Sequence, residues 1–165
     1  MAHLLIAGVP GTGKTNFSRW LRDTHEYVHI DVEKSWVNDP VIRFLLDRDV
    51  INVESVAENL KARSPNVVLD WGFVPALLGR VRQMIRKGFE PWWFTGDEDA
   101  ARRAFLGRGT MTKDLFNIQM ARIRDSWVRI EKVFDGRMLD VIHPAPGGYE
   151  HLPPEEVFRL MGHNR

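Results

Sequence analysis

An α/β fold, with a doubly wound parallel sheet and helices on both faces, is predicted by three observations. Five short apolar or aromatic runs, at 4–7, 27–30, 66–69, 91–95 and 138–142, alternate with segments of helical spacing. The first run leads directly into Gly8-Val9-Pro10-Gly11-Thr12-Gly13-Lys14-Thr15, a complete G-x-x-x-x-G-K-[ST] sequence, with Phe17, Trp20 and Leu21 at helical spacing behind it. The chain has 165 residues, 44% hydrophobic and 27% charged, which suits one domain (1–165) able to enclose a core.

In chain order, 4–7 is a buried strand and 8–15 a phosphate-binding loop. The helix behind the loop ends near Asp23 and Thr24, and Tyr27 to Ile30 is a second strand closed by Asp31. Asp39-Pro40 reads as an N-cap and first helical residue. Asn52 caps a further helix with Val53, Val56, Ala57 and Leu60 on one face, stopped at Ser64-Pro65. The helices of 35–65 thus fall between the second and third strands, placed to form a substrate-side flap.

The third strand, 66–70, ends in Asp70, and Trp71 to Pro75 turns the chain into a helix stopped at Gly88. Pro91 to Thr95 is the fourth strand, and Asp97 caps the helix that follows, with Glu98 and Asp99 where its dipole favours acid. Residues 107–110 read as a mobile loop. Thr112 then caps one long helix, because Phe116, Met120, Ile123, Trp127, Ile130 and Phe134 recur in alternating steps of four and three, a core-facing stripe that Gly136 ends. Met138 to Ile142 is the fifth strand, 143–148 a loop and 154–161 the closing helix.

Composition narrows the function classes. With 23 Lys+Arg against 22 Asp+Glu the net charge is +1, so no global field favours nucleic acid or membrane. The chain has no cysteine, which excludes disulfides, thiol catalysis and thiolate metal sites. The six histidines form no metal-ligand spacing, and His29 and His143 read as structural residues at strand edges. No run reaches the length of a membrane span and no export signal precedes the first strand, so a cytoplasmic protein, monomeric or weakly dimeric, is expected.

The motif at 8–15 supplies the donor half of a site. Its glycines let several N–H groups converge on an anion at the positive end of a helix dipole. Gly8, Pro10, Gly11, Thr12, Gly13, Lys14, Thr15 and Asn16 are therefore the expected nucleotide-binding residues, Lys14 on the β and γ phosphates and Thr15 on Mg²⁺. ATP and Mg²⁺ are the expected cofactors. No Asn-Lys-x-Asp stretch is present to read guanine.

That motif, Asp31 with Lys34 three residues on, the strand Val67-Val68-Leu69-Asp70 and the basic segment Arg102, Arg103 and Arg108 together resemble the nucleoside-monophosphate-kinase-like group of P-loop kinases. Within it the chain looks most like the branch holding polynucleotide kinases, zeta toxins and kinases for gluconate, shikimate and chloramphenicol. Lys34 stands where polynucleotide kinases usually carry arginine. The resemblance implies a three-layer α/β/α P-loop NTPase fold, its five parallel strands in the order 2-3-1-4-5, with a lid over about 107–125. It also implies that Asp31 acts as base or orients an acceptor hydroxyl, with a helix cap as its plain alternative, and that Arg108, with Arg103 and Arg102 behind it, is the lid arginine. Arg122 and Arg124 are further candidates to face the lid. Pro146, in the 144–148 loop, is then placed to meet adenine. Asp70 either holds Mg²⁺ or faces the substrate, and these stay open beside a turn-capping role. Lys34, Asp70 and Trp71 join Asp31 on the acceptor side, where Trp36, Trp71 or Phe73 could stack on a base or sugar. The expected activity is transfer of a γ-phosphate to a hydroxyl of a small molecule. A nucleotide or nucleic-acid end is the alternative acceptor, and a non-enzymatic ATP-binding regulator the alternative class.

Overall fold

In a computed structural model, residues 2–46, 52–72, 75–109 and 111–163 are described. Phe73 and Thr110, both named above, lie outside them.

The elements are β1 (Ala2–Gly8), α1 (Lys14–His25), β2 (Val28–Asp31), α2 (Val32–Ser35), α3 (Pro40–Leu46), α4 (Val53–Arg63), β3 (Asn66–Asp70), a 3₁₀ turn (Pro75–Leu77), α5 (Leu78–Arg86), β4 (Glu90–Gly96), α6 (Glu98–Leu106), α7 (Lys113–Asp125), α8 (Trp127–Val133), β5 (Met138–Ala145), β6 (Gly148–His151) and α9 (Pro154–Leu160). The fold is three-layer α/β with a mostly parallel sheet of six strands in the order β2-β3-β1-β4-β5-β6.

The expected five-stranded, all-parallel sheet is corrected by β6, which runs antiparallel to β5 in the register Ala145↔Gly148, Pro144↔Tyr149, His143↔Glu150 and Ile142↔His151. Pro146 and Gly147 form a two-residue hairpin turn, so the expected 144–148 loop is mostly strand. Pro144 can sit in a strand here because the ladder with β4 ends at Ile142, leaving it only one neighbouring strand.

The chain divides into two compact units. The first comprises Met1–Ala7 and Ser18–Pro91. Its centre is β1 and β3, whose Leu4, Leu5, Ile6, Val67, Val68 and Leu69 are all fully buried, as expected of parallel strands covered on both faces. Asp39 caps α3 through Val41 N–H at 3.0 Å, and Asn52 caps α4 through Ser55 N–H at 3.0 Å, as the sequence implies. The buried Arg80 of α5 donates to the Leu45 carbonyl, near the end of α3, at 2.6 Å.

The second unit comprises Gly8–Phe17 and Trp92–Arg165. Val9, Ala100, Ala101, Ala104, Phe105, Phe116, Met120 and Ile142 make its core, with the Phe105 and Phe116 rings 5.5 Å apart. Asp97 and Thr112 cap α6 and α7 through Ala100 N–H at 2.8 Å and Leu115 N–H at 3.2 Å. The single long helix expected over the 116–134 stripe is two, α7 and α8, parted at Ser126 with φ −110° and ψ 7°. The step spacing still averages one helical turn, so Phe116, Met120, Ile130 and Phe134 stay buried across the break.

Candidate functional site

The glycine-rich loop from Gly8 to Gly13 belongs to the second unit. Gly8, Gly11 and Gly13 have φ of +144°, +89° and +82°, a region that side chains disfavour. Close approach adds a second requirement. A Cβ on Gly8 would meet the Phe94 carbonyl oxygen at 2.1 Å, and one on Gly11 the Ala101 carbonyl oxygen at 2.0 Å. Val9 N–H donates to the Phe94 carbonyl at 2.9 Å, and the buried Thr12 hydroxyl donates to the Val9 carbonyl at 2.7 Å, so the loop is tied to β4 and to itself. Lys14 opens α1 and lays its ammonium on the carbonyls of Val9 at 3.0 Å and Gly8 at 3.2 Å. Thr15 is half-buried, whereas Asn16 is exposed. A loop of this shape can take an anion on its N–H groups and the N-terminus of the 12-residue α1.

Behind α6, Gly107, Arg108 and Gly109 are exposed, and the Arg108 guanidinium lies 5.8 Å from the centre of the Phe105 ring. Arg103 is also exposed, while Arg102 pairs with Asp99 one turn away. Arg124 is tied to Glu98 across α6 and α7, so it faces α6 instead of standing free for a lid. Pro146 is exposed at the tip of the β5–β6 hairpin. Beside the loop a pocket of about 380 Å³ is walled by Val9, Thr95, Gly96, Met120, Ile123 and Trp127.

Histidine 151 is the residue sequence reasoning missed. Its Nε2 lies 3.0 Å from the Gly11 carbonyl, and its ring Cδ2 is 3.0 Å from the place a Cβ on Gly13 would occupy. The Pro-Gly turn at 146–147 was the signal that could have found the strand carrying it.

The acidic residues belong to the first unit. Asp31 and Asp70 are register partners at the ends of the adjacent parallel strands β2 and β3. Asp31 caps α2, accepting from Lys34 N–H at 3.2 Å, while its other oxygen lies 3.3 Å from Lys34 Nζ. The cap reading of Asp31 is thus present in the fold, and its carboxylate remains partly open to solvent. Asp70 is buried, 4% exposed, with His29 Nε2 at 3.7 Å from its Oδ2. A buried carboxylate needs charged or hydrogen-bonding partners; the His29 imidazole stands near this one, though beyond hydrogen-bond length. Trp71 is wholly buried and offers no face to a ligand, which corrects the stacking expected of it, whereas Trp36 is exposed. Gly72 lies against Glu33, whose carboxylate a Cβ there would meet at 2.5 Å. A pocket of about 260 Å³ on α3 and α4, within the expected substrate-side segment, is lined by Val41, Phe44, Asn52, Ser55, Val56 and Asn59.

No group of three or more His, Cys, Asp or Glu able to hold a metal occurs among the described residues. The half-buried Thr15 hydroxyl in the second unit and the buried Asp70 carboxylate in the first are each oxygen donors of the kind Mg²⁺ takes, because that ion is held by one or two protein oxygens together with phosphates and water.

Solved structures share this fold. A gluconokinase from Sinorhizobium meliloti 1021 aligns with a TM-score of 0.59 and 15% identity, over 97% of this chain and 89% of its own. The tunicamycin resistance protein of Deinococcus radiodurans aligns with a TM-score of 0.57 and 12% identity, over 98% and 93%. The fold is established by these likenesses. A shikimate kinase from Bacteroides thetaiotaomicron adds a TM-score of 0.54 at 11% identity, over 84% of this chain and 85% of its own. No protein-family model and no curated protein matches the chain in sequence. No helix among the described residues is long and apolar enough to cross a membrane.

Proposed function

We propose that the chain is an ATP-dependent kinase that transfers the γ-phosphate to a hydroxyl of a small-molecule acceptor. The observation that carries this reading is the loop from Gly8 to Gly13, closed by its own hydrogen bonds and ending in Lys14 at the head of α1. The names of the gluconokinase and the shikimate kinase that share the fold support it.

Phosphoryl transfer needs positioning and charge neutralisation more than covalent chemistry. The loop N–H groups of 11–15 hold the phosphates, and the Lys14 ammonium leaves the Gly8 and Val9 carbonyls to meet the β and γ oxygens. Thr15 and Asp70 are the residues that would hold Mg²⁺, which when bound neutralises phosphate charge. The acceptor oxygen bonds to the γ-phosphorus as the bond to the β–γ bridging oxygen breaks. ADP leaves, and the acceptor proton passes to Asp31 or to solvent. Asp31 retains its cap on α2 through one oxygen and serves the acceptor through the other, the one beside the Lys34 ammonium. Arg108, free at the surface beyond its contact with Phe105, reaches the nucleotide when the segment beyond α6 closes.

A thermal-shift panel with ATP, GTP and Mg²⁺, followed by a γ-phosphate transfer screen over sugars, nucleosides and oligonucleotides, tests the reading. Stabilisation by MgATP and labelling of a sugar or another small hydroxyl compound is the expected result. Labelling confined to oligonucleotide ends would replace it with a polynucleotide kinase, and nucleotide binding with only slow hydrolysis would replace it with a regulatory ATP-binding protein.

A further inference from the structure

Of all contacts to the phosphate loop, the one from β6 is the least expected from its motif. His151 stands on a strand 138 residues beyond Gly13, yet its ring lies against Gly13 and its Nε2 meets the Gly11 carbonyl at 3.0 Å. A carbonyl only accepts, so the imidazole donates from Nε2, as it does in the neutral Nε2–H form and in the imidazolium alike. The ring is itself set by Tyr149, two residues earlier on the same face of the strand and edge-on at 5.6 Å.

The bond matters because of what lies on the other side of the same peptide. A trans peptide points its C=O and N–H in opposite directions. Holding the Gly11 carbonyl toward His151 therefore turns Thr12 N–H away from it. Glycine does not resist rotation of the plane that follows it, and Gly11 at φ +89° has no side chain to lock it. Its α6 side is blocked by the Ala101 carbonyl, and Thr12 is held below by its hydroxyl on the Val9 carbonyl. Neither contact fixes the orientation of the 11–12 peptide plane. His151 does.

We infer that His151 is a positioning residue for the nucleotide: by holding the Gly11 carbonyl outward it presets Thr12 N–H to donate to a phosphate oxygen, so that the loop binds without first reorienting that peptide. This rests on the kinase reading for its ligand but not for its geometry. The β5–β6 hairpin, absent from the sequence-based fold, is on this account the brace of the donor site.

Two substitutions separate the hydrogen bond from the bulk of the ring. His151→Gln keeps a donor at the place of Nε2, and His151→Phe keeps a ring without one. MgATP titration by calorimetry is expected to give His151→Gln an affinity within about twofold of wild type. His151→Phe should bind about three- to tenfold more weakly, the range of one net hydrogen bond. Both should stay folded, His151→Gln melting with the wild type and His151→Phe within a few degrees of it, as loss of one partly buried hydrogen bond allows. In nucleotide-free protein, the Thr12 amide resonance should move in His151→Phe and stay in place in His151→Gln. Equal affinity of His151→Phe and wild type, equal weakening by both substitutions, or an unmoved Thr12 amide in His151→Phe would each overturn the inference. Wild-type protein that binds no nucleotide would instead overturn the kinase reading, and the Thr12 amide would still decide whether His151 sets the peptide.

Discussion

Replacing Gly11 with alanine puts the architecture of the loop under test at one atom. The added Cβ would lie 2.0 Å from the Ala101 carbonyl oxygen and 3.2 Å from Phe105 N, and Gly11 has φ +89°. The left-handed conformation alone costs about 1–2 kcal/mol for a residue with a Cβ. Overpacking against backbone, which cannot rotate away as a side chain can, adds about 1–3 kcal/mol. Gly109 is the control: its φ is +73°, yet nothing among the described residues lies within 4 Å of its Cβ position, so Gly109→Ala bears the conformational cost alone. At about 2–4 °C per kcal/mol for a chain of this size, Gly11→Ala should melt about 4–20 °C below wild type and Gly109→Ala about 2–8 °C below. MgATP titration separates them more sharply. The only way to relieve the Gly11 clash is to move the loop off α6, so Gly11→Ala should lose measurable nucleotide binding while Gly109→Ala keeps it. A Gly11→Ala protein with wild-type affinity would refute the claim that this backbone path forms the phosphate site.

Three further outcomes follow from the same geometry. Asp31→Asn keeps an N-cap of equal quality on α2, so its stability should match wild type while phosphotransfer falls by about 10²–10⁴-fold; unchanged turnover would leave Asp31 a cap and nothing more. Arg108→Ala gives up a solvent-exposed contact with the Phe105 ring that contributes about 0.5–1 kcal/mol, and it should lower kcat more than it weakens ATP binding, as steady-state kinetics beside calorimetry would show. Burial in β1 is the largest influence on His3 and lowers its pKa below 6.5. The unfolded chain therefore takes up that proton first, and stability contributed by the neutral ring is lost as pH falls through about 6.5. Urea denaturation between pH 8 and pH 5 should show a shallower acid-side loss in His3→Gln than in wild type, and parallel slopes would remove His3 from the pH dependence.

Where the sequence was informative, the signal was local and chemical. Asp39, Asn52, Asp97 and Thr112 each cap the helix behind them because a short polar side chain before an apolar repeat has one main use there. The loop from Gly8 to Lys14 was legible because three glycines and a lysine at that spacing satisfy backbone demands that few other segments make. The misreadings arose where the decisive interaction was distant in sequence. The segment 143–148, with its two prolines and two glycines, reads as a loop, because the end of the β4 ladder at Ile142 is not visible in the sequence. That hid β6, and with it His151. Ser126 interrupts the long helix without disturbing its apolar stripe, so periodicity could not register the break. Trp71 looked available to a ligand by its position after a strand-end acid, yet packing buries it. Asp70 beside His29 is a relation between two strands, visible only once β2 and β3 are in register.

The kinase reading is tested most directly by following two labels with one acceptor panel. Wild-type protein and Lys14→Ala are incubated with Mg²⁺, sugars, nucleosides and oligonucleotides, and with ATP labelled at either the γ or the α phosphate. The account predicts that a small hydroxyl compound acquires label from the γ position only, one ADP appearing per acceptor modified, and that Lys14→Ala transfers none. Acceptors left unlabelled across the panel, or label transferred equally by Lys14→Ala, would contradict it.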